Sequence, residues 1–249
     1  MPATIVIHPK YKELTDFIVQ LPETFSRQGK VIYNGRNEIR VVEHAGLTIN
    51  VKEFGIPFFL NRPVYAWFRK TKAERAYLYA GKLLTRQICT PEPIAYILTK
   101  KWGVIGKCYF VSIQVPLARN FYEFGTPPLE GREDIVKDFA RYTACIHDSG
   151  VYHKDYSPGN ILFDVIDGKT EFCLVDINRM EFGRVNIRKG CKNFARLWGQ
   201  EPFFRLIGQE YAQSRKADPQ TCIRLILKYR KKFWKNFIRK HTPKFRLDI

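Results

Sequence analysis

The chain has 249 residues, 42 Lys and Arg against 24 Asp and Glu, and a formal net charge of +18. With 45% hydrophobic and 14% aromatic residues it can build a sizeable core, which excludes general disorder. No apolar run reaches the roughly 18 residues of a membrane-spanning helix, the nearest being Ile56-Pro57-Phe58-Phe59-Leu60. The length fits one large domain or two small lobes. The N-terminus shows no basic segment followed by an apolar one, so no secretory signal is expected and the chain is expected to stay in the cytoplasm. Six cysteines occur without a C-x-x-C pair or a zinc pattern and read as buried, reduced thiols. The positive charge calls for an acidic partner: nucleic acid, anionic lipid, or a phosphorylated or carboxylated substrate.

In chain order, Glu38 to Val42 and Leu47 to Glu53 read as strands joined through His44-Ala45-Gly46. Thr71 to Leu84 reads as a helix with Ala73, Tyr77, Ala80 and Leu84 on one side. Thr90-Pro91-Glu92-Pro93 breaks the chain, and Ile94 to Leu98 and Tyr109 to Val115 follow as strands separated by Gly103 and Gly106. Arg119 to Gly131 reads as a connection. Glu133 to His147 is a second helix, with Ile135, Phe139, Tyr142 and Ile146 as its apolar side. Ile161 to Val165 and Glu171 to Val175 form a hairpin around Asp167-Gly168. From Asn193 onward the pattern is helical, interrupted near Asp218-Pro219. Strands at the front and helices at the back predict an α+β protein with a small sheet lobe and a larger helical lobe.

The strongest chemical signal is His153-Lys154-Asp155-Tyr156-Ser157-Pro158-Gly159-Asn160, placed after a helix and before the Asp-Gly hairpin, whose second strand runs into Asp176. Phosphoryl transfer needs a base to orient a hydroxyl and oxygen ligands for a metal on the nucleotide phosphates. Asp155 suits the first task, and Asn160 and Asp176 suit the second. An isolated Asp-x-x-x-x-Asn is an ordinary turn; the full set of helix, loop, hairpin and terminal Asp is far more specific.

The arrangement resembles the protein-kinase-like superfamily. His153 to Asn160 matches its H-x-D-x-x-x-x-N catalytic loop, and Asp176-Ile177-Asn178 stands where D-F-G would lie, without its Phe and Gly. Ser157 occupies a position where many protein kinases carry a lysine, which argues against an ordinary Ser/Thr protein kinase. The chain further resembles the lipopolysaccharide kinases, bacterial enzymes that phosphorylate Kdo or heptose in the inner core. The tracts that carry this are Lys72-Ala73-Glu74-Arg75 through Tyr79-Ala80, Thr90 to Tyr96, His147-Asp148-Ser149-Gly150, His153 to Leu162, and Val175 to Met180.

This resemblance implies a bilobal fold, with an N-terminal antiparallel sheet lobe with one helix over residues 1–112 and a mainly helical lobe over 113–249. It also implies ATP and Mg²⁺ as cofactors. Lys52 resembles the strand lysine that contacts the α/β-phosphates, and Glu74 its ion-pair partner on the next helix; Glu53 should point to the opposite sheet face. Asn34, Gly35 and Arg36 stand in for the missing glycine-rich loop, where an ordinary hairpin turn fits as well. Adenine is expected near Ser112 to Val115. Lys154 is a second catalytic candidate, either structural or in contact with phosphate. Arg179 binds an acidic substrate or anchors the loop, and His153 packs and hydrogen-bonds rather than acting as a base.

Between Arg224 and Ile249 there are ten Lys and Arg and one acidic residue, Asp248. A helical wheel puts Ile223, Ile226, Leu227, Phe233, Trp234, Phe237 and Ile238 on one side and Arg224, Lys228, Lys231, Lys232, Lys235 and Arg239 on the other. Such a helix lies on an anionic membrane or packs its apolar side on the protein and leaves the basic side solvated. Three functional classes remain. The first is an ATP-dependent kinase of an acidic sugar or glycolipid of the lipopolysaccharide core, peripheral on the cytoplasmic face of the inner membrane. The second is a kinase of a small alcohol or a protein. The third is a pseudokinase or binding module. No nucleic-acid partner is expected, because the tail segregates its aromatic and basic residues.

Overall fold

The computed structural model describes residues 3–55, 70–101 and 104–249. The apolar run at 56–60 and Gly103 lie outside them. Two compact units are present, Met1–Pro116 and Leu117–Ile249.

The first unit is a six-stranded antiparallel sheet of β1 (Ala3–Ile7), β2 (Lys30–Asn34), β3 (Glu38–His44), β4 (Leu47–Phe54), β5 (Pro93–Lys101) and β6 (Val104–Ile113), in the order β1-β5-β6-β4-β3-β2. The β3–β4 turn at Ala45-Gly46 has positive φ at both residues, and His44 pairs with Leu47. Pleating sends Ile49 and Val51 into a core with Tyr109, Val111 and Ile97. That core is closed by α1 (Thr15–Thr24) and its flanking turns, through Leu14, Ile18, Leu21 and Phe25. The other face carries α2 (Lys72–Leu84), capped by Thr71, whose hydroxyl accepts from the Glu74 amide at 3.2 Å. Tyr77 of α2 meets Tyr96 of β5 with ring centroids 5.3 Å apart.

Two expectations change here. The unit holds two α-helices among its described residues, not one. The α2 stripe is Ala73, Ala76, Ala80 and Leu83, while Leu84 is exposed.

The second unit is built on α3 (Glu133–Asp148), the hairpin of β9 (Ile161–Ile166) and β10 (Lys169–Leu174), and the helices α4 (Ile187–Asn193), α5 (Glu201–Ser214) and α6 (Pro219–Phe237). Asp167 and Gly168 turn the hairpin at φ 50° and 74°. A two-residue strand, β7 (Arg119–Asn120), extends it, and β8 (Val151–His153) pairs with β11 (Met180–Phe182) as a separate ribbon. The core is aromatic: Phe121 lies 4.1 Å from Phe139 and 5.2 Å from Phe163, ring centre to ring centre. The buried face of α3 is Val136, Phe139, Ala140, Thr143, Ala144, Ile146 and His147, with Ile135 and Tyr142 only half-buried.

Asp218 caps α6 by accepting from the Thr221 amide at 2.7 Å. The apolar side of α6 docks on its own unit through Cys222, Ile223, Ile226 and Trp234, and Ile238 stays exposed. Arg230, one of the tail's cations, is buried as well; it donates to the Gly199 carbonyl at 2.7 Å and pairs with Asp248. Among the described residues no helix is long and apolar enough to cross a membrane. The six cysteines form no disulfide among the described residues; Cys89 and Cys145 are exposed, against the expectation of burial, and the other four are buried.

Candidate active site

The β8–β11 ribbon sets His153 opposite Met180 and so brings the loop after β8 to the segment before β11. Backbone bonds fasten the two: Lys154 N–H donates to the Arg179 carbonyl at 2.9 Å, and Val175 N–H to the Asn160 carbonyl at 3.1 Å. His153 is buried. Its Nδ1 accepts from the Asp155 amide at 3.1 Å, so its Nε2 carries the proton and donates to the Val175 carbonyl at 3.1 Å. Burial lowers its pKa and keeps the ring neutral. With both nitrogens engaged, this ring positions the loop and has no lone pair left for a substrate.

Asp155 sits between two guanidinium groups. Arg179 Nη1 lies 3.1 Å from Oδ2, and Arg196 Nη1 donates to Oδ1. Asn160 Nδ2 donates to the Asp155 carbonyl at 2.8 Å, and the other end of its amide, Oδ1, is an acceptor. Asp176 follows the β10 strand in the left-handed region at φ 53°, a conformation that L-residues adopt mainly under local constraint. Asn178 donates to its Oδ1, while the Asn178 amide oxygen is buried with no donor among the described residues. Lys154 points elsewhere: its ammonium is 3.2 Å from Glu181, which also holds Lys189.

Behind the loop runs a buried relay with one consistent proton direction. Arg215 donates to the Tyr211 hydroxyl at 2.8 Å, Tyr211 to His147 Nδ1 at 2.9 Å, and His147 Nε2 to Asn193 Oδ1 at 3.0 Å. Asn193 Nδ2 donates to the His153 carbonyl at 2.9 Å. Burial holds the His147 pKa at about 4. Gly190 makes room for the relay, since a Cβ there would stand 1.9 Å from the Tyr211 oxygen.

Asp155 and Ser157 also line a cleft of about 760 Å³ walled by Tyr122, Trp198, Phe233, Trp234 and Phe237. The first unit carries the other predicted residues. Lys52 lies on β4 on the sheet face that bears α2, its ammonium 5.2 Å from the Phe54 ring centre. Glu74 opens α2 and pairs with Lys70 at 3.2 Å. Asn34, Gly35 and Arg36 form the exposed tip of the β2–β3 hairpin, where Gly55 passes against the Arg36 carbonyl. Glu53 is held by Lys107 at 2.9 Å. Near Ser112 to Val115, the amides of Ile113 and Gln114 already donate to Glu92 and Thr48 carbonyls, each at 2.9 Å.

The model of the lipopolysaccharide kinase (Kdo/WaaP) family matches residues 60–201, more than half of the chain. The chain belongs to that family. It is therefore a lipopolysaccharide kinase, and the kinase family implies ATP use. The solved structure of WaaP in complex with acyl carrier protein covers 93% of this chain and 98% of its own at a TM-score of 0.63 and 16% identity, which places the kinase in the protein-kinase-like fold. No curated protein matches the sequence.

Among the kinase's described residues no group of three or more His, Cys, Asp or Glu side chains is arranged to hold a metal ion. The hard-oxygen set of Asn160 Oδ1 and the Asp176 carboxylate, with the donor-less Asn178 oxygen nearby in sequence, nevertheless fits a magnesium ion, which takes one or two protein oxygens and leaves the rest to phosphate and water. Arg196, Asn193, His147 and Arg215 were not singled out for these roles from sequence. The Arg196 bond to Asp155 spans 41 positions and the Asn193 bond to the His153 carbonyl 40, so neither leaves a local pattern.

Proposed function

We propose that the kinase transfers the γ-phosphate of ATP to a sugar hydroxyl, of Kdo or heptose, in the lipopolysaccharide inner core, working at the cytoplasmic face of the inner membrane. The observation that carries this reading is the position of Asp155 on the wall of an aromatic cleft. A cleft of flat apolar rings with a few convergent polar groups suits the apolar faces and hydroxyl edges of a sugar ring. Asp155 orients the acceptor hydroxyl and takes its proton, a role worth roughly 10²–10⁴ in rate. Arg179 and Arg196 hold its carboxylate in place.

Asn160 and Asp176 would hold magnesium, which would supply charge neutralisation on the nucleotide phosphates. Lys52, supported by Glu74, contacts the α/β-phosphates, and the hairpin tip at Asn34, Gly35 and Arg36 covers them. Lys154, bound to Glu181, serves the acceptor side rather than the proton transfer. Membrane attraction comes from the exposed Arg224, Lys228, Lys231, Lys232, Lys235 and Arg239 of α6 and the turn after it, each worth about 1 kcal/mol near an anionic surface. Because the apolar side of α6 is docked inward, this attraction is electrostatic and involves no inserted wedge.

The test offers labelled ATP and Mg²⁺ to wild type and Asp155→Asn with an inner-core glycolipid, a total protein extract and a panel of small alcohols. Label should enter the glycolipid and fall at least about 10²-fold in the variant. Label in protein or a small alcohol alone would overturn the acceptor assignment, and an undiminished variant would overturn the role of Asp155.

A further inference from the structure

A second cavity, of about 600 Å³, lies in the same unit and shares Arg196 and Phe233 with the aromatic cleft. Its lining is strongly one-signed: Lys154, Lys189, Lys192, Arg196 and Lys232 face a single carboxylate, Glu181. Glu181 is already shared between Lys154 and Lys189. Lys192 and Lys232 are exposed and have no salt-bridge partner among the described residues. Neither Asn160 nor Asp176 lines this cavity, so it is separate from the proposed metal site. Like charges gathered in a concavity repel one another, and walls of low polarity raise the local potential for an anion. Part of the wall is aromatic: the Lys189 ammonium is 5.0 Å from the Tyr152 ring centre, and the Arg196 guanidinium 5.3 Å from that of Phe233.

We propose that this cavity binds a second, anionic group of the acceptor, a carboxylate or a phosphate, while Asp155 addresses the hydroxyl that receives the new phosphate. The inference rests on the acceptor reading above and adds a requirement to it: the acceptor carries an oxyanion within reach of its reacting hydroxyl. Arg196 is the joint between the two sites. One end of its fork binds Asp155, and its side chain lines both cavities. A guanidinium presents several donors in fixed directions and matches the paired oxygens of a carboxylate or phosphate. A ligand passing Arg196 would therefore reach Asp155 with one part and the lysine cluster with another.

The experiment measures calorimetric binding of three delipidated core oligosaccharides to the full chain: native, carboxyl-reduced and dephosphorylated. Wild type is compared with Lys192→Ala/Lys232→Ala, whose thermal midpoint is checked because both side chains are exposed. Phosphate transfer to the native oligosaccharide by wild type is recorded in parallel. Removing the critical anion should weaken wild-type binding about tenfold and the double variant's by less than threefold. Loss on carboxyl reduction identifies a carboxylate, and loss on dephosphorylation a phosphate. If every oligosaccharide loses the same factor in both proteins, the cavity does not hold the anion, although transfer by wild type would leave the acceptor reading standing. If wild type neither binds nor phosphorylates the native oligosaccharide, the acceptor reading fails and this proposal fails with it.

Discussion

His147 makes a quantitative test of the relay behind the His153–Asn160 loop. Its Nδ1 accepts a proton from Tyr211 and its Nε2 gives one to Asn193, so a second ring proton would have no acceptor and would face the charge of Arg215. Burial pulls the pKa from an ordinary 6.5 to about 4 in the fold. The unfolded chain therefore takes up a proton as pH falls through 6.5, while the folded chain resists until about pH 4. Stability is full above the unfolded pKa and is lost across this window. The difference corresponds to about 3 kcal/mol in all, with a slope approaching about 1.4 kcal/mol per pH unit. His153 is displaced in the same direction, so the effect of His147 must be isolated by difference. Urea unfolding of wild type and His147→Gln, followed by helical circular dichroism from about pH 4 to pH 7, provides that difference. The stability advantage of wild type should shrink by about 3 kcal/mol on acidification. A difference that stays constant across the window would refute the buried, neutral relay.

Two further sets of substitutions probe packing. Gly190→Ala drives a methyl into the Tyr211 oxygen and should cost about 1–3 kcal/mol. Thermal melting of Gly190→Ala combined with Tyr211→Phe should show less than the additive loss, because the clashing oxygen is gone. Arg230→Met should cost about 2–4 kcal/mol by stranding Asp248 and the Gly199 carbonyl, while Lys228→Met and Lys231→Met on the exposed face stay within about 0.5 kcal/mol. Equal losses at all three positions, read from denaturant midpoints, would contradict the burial of Arg230.

Local chemistry explains which parts were legible in the sequence. The Ala45-Gly46 and Asp167-Gly168 turns announce their hairpins because two-residue turns demand residues tolerant of positive φ. The segment from His153 to Asn160 and the downstream Asp176 are brought together by β8, β11 and their backbone bonds. The expected α3 stripe shares Phe139 and Ile146 with the buried face but takes Ile135 and Tyr142 where the fold buries Val136 and Thr143, because that face also includes Thr143 and His147. These are polar residues that enter the core only with hydrogen-bond partners, and a count of apolar spacing passes over them. Leu14, Ile18, Leu21 and Phe25 do repeat at helical spacing, but Pro22 and the short length of α1 masked that signal. The three-residue strands β8 and β11 are too short to show a period, and their pairing spans 27 positions from His153 to Met180. Arg196 meets Asp155 only once α4 and the turn after it are folded.

One helix serves two surfaces. Lys232 and Phe233 of α6 line the basic cavity, Trp234 and Phe237 line the aromatic cleft, and Lys231 beside them, with Lys228 and Arg224 about one and two turns earlier, face solvent. Side chains on a rigid helix cannot reorient independently, so under the proposed function the direction from which a charged sheet of headgroups would approach and the direction in which a sugar would enter are fixed relative to each other. Raising the ionic strength should then weaken both encounters together, and an acceptor delivered within a lipid surface should respond to salt more steeply than the same sugar free in solution.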